Sequence, residues 1–367
     1  MTPLESPSLS RTCSLLASSG EAVRNVSPED LARWDREVVW HPFTQMAEYE
    51  PLLIERAEGC TLYDIHGNAY IDGVASLWCN VHGHRHPRLD AAIREQLDRV
   101  AHTTALGASN STTVKLAKRL VDLAPEGLNH IYFSDDGSTA VEVALKQALQ
   151  YWRQRPEPRF EKTRYAALAS AYHGDTIGSV SVGGVARFHA MFSPLLFDVV
   201  RVPSPDQYRL PEGVTPENAC AYYLAQVEEL FRKHHHELAA IVIEPLVQAA
   251  AGMIVHPTGY LRGVRELCTK YDVLMIVDEV KTGFRVAKGG AQELYGIKAD
   301  LCTMAKALAN GYPIAAIGGR EDIMRKFGKG VAHGGTYTAQ AMSLAAAETT
   351  LTILRDTSAL ADIAAYG

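Results

Sequence analysis

The stretch LAAIVIEPLVQAAAGMIVHPTGYLRGVRELCTKYDVLMIVDE, residues 238–279, decides the fold class of this chain. It contains two short and nearly continuously apolar runs, residues 240–244 and 273–278. Between them, apolar residues recur at helical spacing and form one face, at Leu261, Val264, Cys268 and Tyr271. Two such runs joined by an amphipathic helix are typical of a right-handed βαβ unit whose parallel strands are buried on both faces.

The same pattern recurs on either side of this unit. Further short apolar runs are residues 130–134, 165–170 and 301–304, and the first of them precedes a strong helix pattern at 141–152. The sequence therefore predicts an α/β domain with a mainly parallel sheet and helices on both of its faces.

Nearer the N-terminus the pattern is different. Residues 61–73 alternate apolar and polar side chains around a His66-Gly67-Asn68 turn, which is typical of a β-hairpin. Two amphipathic helices are predicted after it, at residues 89–100 and 111–123.

The composition narrows the class of protein. Of 367 residues, 47% are hydrophobic and 21% are charged, and the formal net charge is −6. This balance excludes a disordered chain and the basic surface of a nucleic-acid binder, so a small molecule is the expected partner.

The apolar stretches are interrupted before they reach the ~20 residues of a membrane span. Six cysteines without a CxxC pair favour a cytoplasmic protein, and the Ser-rich residues 1–30 are predicted to be a flexible tail.

Residues suited to binding a small ligand follow the predicted strands, at the sheet edge where α/β proteins hold their ligands. Gly137 and Ser138 start a helix after the run 130–134, and free N–H groups at a helix N-terminus bind phosphate. An ordinary capped turn explains this segment equally well.

Tyr172 and His173 follow the run 165–170. The tyrosine ring can stack on a flat cofactor, although a buried structural tyrosine is the more common case.

Ionisable residues follow two further strands. Asp278 ends the run 273–278, and a carboxylate buried there needs a cation, for which a protonated ring nitrogen serves as well as an arginine. Lys306 follows an apolar run, where an ammonium ion is costly and a nucleophilic, Schiff-base-forming amine is favoured over a surface lysine. A Gly-rich loop with Gly335 and Thr336 can contact another phosphate oxygen.

A phosphate cradle, a stacking ring, a carboxylate for a ring nitrogen and a Schiff-base lysine together are the set that pyridoxal phosphate requires. Lys281 is the rival lysine, and its place three residues after Asp278 suits a neighbour of the ring better. No metal site is predicted, because the histidine groups 82–86 and 234–236 lack carboxylates at ligand spacing. No GxGxxG follows a strand, which disfavours a dinucleotide-binding enzyme.

The order Gly-Ser, Tyr-His-Gly, Asp-Glu-Val, Lys resembles that of class III aminotransferases of the fold type I pyridoxal phosphate family, over essentially everything after residue 30. The resemblance implies that Lys306 binds the cofactor covalently and moves the substrate proton, and that Asp278 keeps the pyridine nitrogen protonated. Both would be catalytic and cofactor-binding residues.

The resemblance also implies the rest of the cofactor site. The residues that would bind the cofactor besides Asp278 and Lys306 are Gly137, Ser138, Tyr172, His173, Gly335 and Thr336. The last two would come from the partner subunit of a homodimer.

Several motifs resemble the branch of this family that acts in biotin synthesis, notably WHPFTQ at 40–45 and VHGHRHP at 81–87. That likeness implies S-adenosylmethionine as amino donor and a long-chain amino-oxo acid as acceptor. It also implies substrate contacts from Phe43, Trp78, Tyr172 and Gly334, although Phe43 and Trp78 are also explained as core aromatics. Residues 282–292 instead resemble glutamate-1-semialdehyde aminomutases, which keeps that reaction as an alternative.

The family pattern continues beyond the equivalent of Gly367 into a small domain that carries a carboxylate-binding arginine. We therefore expect residues 31–74 to be the N-terminal part of a small domain, 75–355 the large domain, and 356–367 the start of an incomplete C-terminal part. A cofactor-binding protein without catalysis is the non-enzyme alternative.

Overall fold

The computed structural model describes residues 26–328, 330 and 333–367, so most of the predicted tail lies outside the described residues. Internal contacts divide the chain after Gly73 into two units. The first contains helix α1 (Pro28–Val38) and an antiparallel sheet of β1 (Ile54–Glu58), β2 (Thr61–Asp64) and β3 (Ala69–Ile71). Helix α1 begins inside the stretch predicted as tail, because the Ser27 hydroxyl caps it by accepting a hydrogen bond from the Asp30 N–H (3.1 Å).

The predicted hairpin is confirmed as β2 and β3, which pair antiparallel. Its turn is held by the Asp64 carboxylate, which accepts hydrogen bonds from the backbone N–H groups of His66 and Asn68, both at 2.9 Å. These bonds and those from the Asn68 and Tyr70 side chains lower the pKa of Asp64 to about 2. Strand β1 was not predicted.

The second unit, residues 74–367, is built on a seven-stranded sheet of order β4-β12-β11-β10-β7-β5-β6. Its strands are β4 (Leu128–Ser134), β5 (Arg164–Leu168), β6 (Val199–Val202), β7 (Leu238–Ile243), β10 (Leu274–Asp278), β11 (Leu301–Met304) and β12 (Ala315–Arg320). Six strands run in one direction, and β12 alone runs against its neighbours β4 and β11. The predicted mainly parallel sheet is confirmed.

Three details of this sheet differ from the sequence prediction. The run 130–134 was interpreted as a strand with parallel neighbours, but β4 pairs only with the antiparallel β12. Strand β12 was not predicted, because Gly318 and Gly319 weaken its strand pattern. Both glycines pack closely: a Cβ at Gly319 would lie 2.6 Å from Leu301 Cδ2. Strand β6 was also missed.

Helices cover both faces of the sheet. Along β7, Ala240 and Val242 pack in one core cluster with the helix at 137–153, while Ile241 and Ile243 pack in another with the helices at 219–234 and 260–270. The helices of this unit are α2 (Pro87–Arg99), α3 (Ser111–Leu123), α4 (Gly137–Arg153), α5 (Ile177–Val182), α6 (Ala186–His189), α7 (Ala219–His234), α8 (Tyr260–Lys270), α9 (Gly290–Tyr295), α10 (Glu321–Met324), α11 (Ala341–Asp356) and α12 (Ala359–Tyr366). A short hairpin, β8 (Val247–Gln248) and β9 (Ile254–Val255), follows β7.

The predicted βαβ unit is confirmed as β7-α8-β10, with β7 and β10 paired in parallel. Within residues 26–328, 330 and 333–367, no helix is long and apolar enough to cross a membrane. The assignment of residues 31–74 and 356–367 to a small domain remains our proposal. Ala359 and Leu360 of α12 pack against a core cluster of the second unit.

Candidate active site

A cavity of about 280 Å³ lies where the parallel strands β4, β5, β7, β10 and β11 end. Seven predicted site residues are among those that line it: Trp78, Gly137, Ser138, Tyr172, His173, Asp278 and Lys306. Six of these seven residues follow or end four strands, β4, β5, β10 and β11, as expected for an open α/β fold.

The first wall of the cavity is the turn from β4 into α4. Asp136 caps this helix, since its carboxylate accepts a hydrogen bond from the Thr139 N–H (2.9 Å) and its own N–H donates to the Thr139 hydroxyl (3.1 Å). The Asp136 carboxylate is thus engaged with the helix. The N–H groups of Gly137 and Ser138 belong to the first turn, which has no intrahelical acceptors. This end of α4 is suited to an anion.

The Tyr-His-Gly motif after β5 packs against the same helix end. Ser138 Oγ accepts a hydrogen bond from the Asp175 N–H at 3.1 Å and keeps its own proton to donate. A Cβ on Gly174 would lie 1.9 Å from Ser138 Oγ, and its φ of +118° favours glycine. The Tyr172 hydroxyl donates to Asp175 Oδ2 (2.5 Å), and burial followed by this bond raises the pKa of Tyr172.

Asp278 and His173 form a buried pair at the centre of the cavity. His173 Nδ1 lies 2.7 Å from Asp278 Oδ2, and Asp278 Oδ1 accepts hydrogen bonds from the Val280 N–H (3.0 Å) and the Thr303 hydroxyl (3.3 Å). Burial alone would raise the pKa of Asp278, but the His173 hydrogen bond and charge outweigh it, and the pKa is lowered. The fold therefore favours the anionic form of Asp278.

Lys306 begins a short 3₁₀ turn (Lys306–Ala309) after β11 and is half-buried. Its φ is +47°, in the left-handed region that costs free energy for any residue with a Cβ. Its Nζ lies 5.5 Å from the centroid of the Trp78 ring. The surrounding fold thus keeps the Lys306 backbone in a strained conformation and its amine at the cavity.

The rival lysine, Lys281, is engaged elsewhere. Its Nζ donates to the carbonyl oxygen of Val247 (2.7 Å) and pairs with Glu244 Oε2 (3.3 Å). Glu244 Oε1 accepts from the Tyr172 N–H at 3.0 Å. Burial raises the pKa of Glu244, and the ammonium of Lys281 opposes that shift. Both residues line the cavity, and sequence reasoning gave no role to Glu244, which is visible only as an acid directly after β7.

Four predicted residues are not among those that line the cavity. Gly334, Gly335 and Thr336 are exposed in this single chain, so the contribution of Gly335 and Thr336 from a partner subunit remains a prediction. Phe43 belongs to the first unit, with 64% of its surface exposed, and its role in substrate binding stays untested. Within the described ranges, no cluster of three or more His, Cys, Asp or Glu side chains is placed to bind a metal ion.

Solved structures with this architecture are transaminases of fold type I. The chain superposes on the (S)-enantioselective omega-transaminase from Thermomicrobium roseum with a TM-score of 0.84 and 33% identity, covering 90% of this chain and 75% of that one. An omega transaminase from Pseudomonas jessenii in complex with PMP gives a TM-score of 0.84, 28% identity and the same two coverages. The predicted fold class is confirmed.

Residues 44–367 match the family model described as Aminotransferase class-III, and the chain belongs to that family. Several relatives are named adenosylmethionine-8-amino-7-oxononanoate aminotransferase. The one from Nitratidesulfovibrio vulgaris is 50% identical over 329 residues, which are 87% of this chain and 61% of that protein. The one from Geobacter sulfurreducens is 45% identical over 331 residues, 87% of this chain and 73% of that protein. The crystal structure of the Methanocaldococcus jannaschii enzyme has a TM-score of 0.82 and 38% identity, covering 90% of this chain and 75% of that one.

Proposed function

We propose that this chain is a pyridoxal-phosphate-dependent aminotransferase that transfers the amino group of S-adenosylmethionine to 8-amino-7-oxononanoate, giving 7,8-diaminononanoate for biotin synthesis. The observation that supports the chemistry is the convergence of Lys306, the Asp278–His173 pair and the N-terminus of α4 on one cavity. The names of the relatives support the choice of substrates.

The donor set of the cavity fits the cofactor. The N–H groups of Gly137 and Ser138, with the Ser138 hydroxyl, would hold its phosphate, and the Asp278 carboxylate would pair with its ring nitrogen. The Tyr172 ring would lie against its face. Class III aminotransferases depend on pyridoxal phosphate, which when bound supplies an electron sink for the carbon that loses its proton.

The residues that line the cavity would have separate roles in the reaction. Lys306 would bind the cofactor and then move the proton at the reacting carbon, for which its amine must alternate between base and acid. The His173 hydrogen bond holds the Asp278 carboxylate in place and keeps it ionised. Trp78 and Tyr172 line the cavity and would exclude water around the amine.

The position of residues 282–292 bears on the choice of substrate. This segment resembles the aminomutases, but none of its residues is among those that line the cavity. It is held instead by the buried Glu279 carboxylate, which accepts hydrogen bonds from the N–H groups of Ala291 (3.0 Å) and Gln292 (2.9 Å). The aminomutase-like residues thus do not line the space for a ligand, and any effect they have on substrate choice is indirect.

The test is to load the purified chain with pyridoxal phosphate and follow its visible absorption as each amine is added. We expect S-adenosylmethionine to convert the bound cofactor to its amine form and 8-amino-7-oxononanoate to restore it. Conversion by glutamate-1-semialdehyde alone would support the aminomutase alternative. A bound cofactor that neither amine changes would contradict catalysis and leave a cofactor-binding protein.

The proposal includes a homodimer in the cytoplasm. If Gly335 and Thr336 complete the phosphate site of a partner subunit, dimerisation and cofactor affinity are linked. Sedimentation of the loaded protein is expected to give a dimer, and Thr336→Ala to weaken cofactor binding. A monomer that binds the cofactor equally tightly in both forms would contradict the shared site.

A further inference from the structure

The segment that carries Trp78 has an unusual backbone. Four consecutive residues with side chains, Ala75, Ser76, Leu77 and Trp78, have φ values of 49°, 46°, 66° and 67°. Left-handed conformations are unfavourable for each residue that has a Cβ, and they normally occur singly. Such a run persists only where the surrounding structure over-determines it, and strain of this kind is concentrated at functional sites.

Part of the support comes from within the segment. The Trp78 N–H donates to the Val74 carbonyl (2.7 Å), and the Cys79 N–H donates to the Ala75 carbonyl (2.9 Å). These bonds close the turn, but they do not tie it to the rest of the molecule. They cannot by themselves determine where the Trp78 ring lies.

One long-range tie of this segment is a hydrogen bond from a residue 207 positions away. Arg285 Nη2 donates to the carbonyl oxygen of Trp78 at 2.7 Å. Phe284, just before it, is buried and also left-handed, with a φ of +62°. The contact therefore joins two segments that each contain left-handed backbone, at Trp78 and at Phe284.

Arg285 has no carboxylate partner within the described residues, and its Nε is buried without a hydrogen-bond partner among them. A guanidinium held in this way has little reason to be retained for stability alone. What it holds is the backbone of Trp78, whose ring faces two amines of the cavity. The ring centroid is 5.5 Å from Lys306 Nζ and 6.0 Å from Lys281 Nζ.

We propose that Arg285 is a positioning residue that fixes Trp78 in its left-handed conformation, so that the indole ring forms the wall of the substrate cavity beside Lys306. This rests on the proposed aminotransferase function and deepens it, because it assigns substrate placement to a residue of the aminomutase-like segment. Arg285 is not among the residues that line the cavity, and its effect on the reaction passes through Trp78.

The proposal predicts that loss of the Arg285–Trp78 bond changes substrate binding more than the chemical step. Asp278 and His173 lie on other segments, and their hydrogen bonds to each other and to Thr303 do not involve Trp78. Loss of one charge-assisted hydrogen bond in Arg285→Met is expected to raise KM for the amino acceptor about tenfold while kcat changes less than about threefold. Arg285→Lys keeps a cationic donor and should restore most of the loss.

The experiment compares three variants of the cofactor-loaded protein: Arg285→Met, Arg285→Lys and Arg262→Met. Arg262 is the matched control, because its Nη2 also donates to a backbone carbonyl, that of Tyr295 at 2.7 Å, outside the cavity. Amide hydrogen exchange of residues 74–80 and the visible circular dichroism of the bound cofactor are measured beside KM and kcat. These two readouts report the position of the segment independently of turnover.

In Arg285→Met we expect about tenfold faster exchange confined to residues 74–80 and a changed circular dichroism signal, both absent in Arg262→Met. Unchanged exchange at 74–80 with unchanged KM, or faster exchange across the whole chain, would overturn the proposal. If the unsubstituted chain binds no cofactor or transfers no amino group, the proposed function fails instead, and exchange at 74–80 still decides whether Arg285 holds Trp78.

Discussion

A lysine lies beside the seven-stranded sheet at each end of its parallel strands, and the two amines have different hydrogen-bond partners. At the amino ends of the strands, Lys162 is 4% exposed, and its Nζ donates to the carbonyl oxygens of His235 (2.8 Å), Leu238 (3.1 Å) and Asp272 (2.7 Å). The same amine lies 4.3 Å from the centroid of the Trp152 ring. Three acceptors use all three of its donors, so the group is held as a structural cation.

At the carboxyl ends of the strands, Lys306 also lies beside a tryptophan. It faces a cavity, however, and no described residue accepts a hydrogen bond from its Nζ. Its backbone is strained where the surroundings of Lys162 are fully satisfied. A buried lysine is therefore not a sign of catalysis by itself. The number of hydrogen bonds that the fold supplies to the amine separates Lys162 from Lys306, for which we propose the reactive role.

The largest effect is expected from Lys306→Ala. It removes both the covalent attachment of the cofactor and the group that moves the proton, so amino transfer should fall by more than about 10⁴-fold. The visible absorption of the lysine-bound cofactor should disappear, while the unfolding midpoint in urea of the cofactor-free protein changes little. Retained turnover in this variant would show that another lysine, with Lys281 the first candidate, carries the reaction.

A smaller loss of activity is expected from Asp278→Asn. The amide oxygen can still accept from the Val280 N–H, but the anion that would face the cofactor ring is gone. We expect the cofactor to bind and the rate of proton abstraction to fall about 10²- to 10³-fold. Single-turnover measurement with S-adenosylmethionine checks this. Thr303→Val, which removes only the weaker 3.3 Å contact to the same carboxylate, is the control and should lose far less.

The two lysines also show which features of the fold and of the site could be predicted from the sequence. Lys306 and Asp278 were found because each follows an apolar run, and the edge where parallel strands end is set by chain direction alone. The environment of Lys162 could not be found, since its three acceptors come from two distant segments. The left-handed turn at 75–78 contains no glycine and so carries no local signal. The Arg285–Trp78 bond and strand β12 likewise depend on tertiary packing.

Lys162→Met tests the structural half of the comparison. The methionine fills much the same space but removes the donor from three carbonyl groups, one buried and two partly buried, so the free energy of unfolding should fall by about 3 kcal/mol. The kcat of the folded protein should stay unchanged. Urea denaturation followed by circular dichroism gives the first quantity. The control is Lys233→Met, whose amine makes only an exposed ion pair with Glu229 and should cost less than about 0.5 kcal/mol.

The smallest effect concerns two buried histidines, of which one has a partner at a single ring nitrogen and the other at neither, among the described residues. His173 Nδ1 has the Asp278 carboxylate at 2.7 Å, whereas neither ring nitrogen of His256 has a partner among the described residues. Burial, followed by the charge of Lys281, lowers the pKa of His256 from 6.5 to about 3. As the pH falls below 6.5, the unfolded chain binds a proton that the folded ring refuses until about pH 3.

Between those two pH values the unfolded state binds more protons, so the free energy of unfolding must decrease on acidification. From pH 7 to pH 5 this contribution is roughly 1 to 2 kcal/mol. His256→Leu removes it, and its stability should therefore fall less over this range than that of the unsubstituted chain, while the exposed His236→Leu should fall in parallel with it. Identical slopes for all three proteins would mean that His256 gains a partner on protonation, since only a hydrogen bond to the charged ring could cancel the cost of burying it.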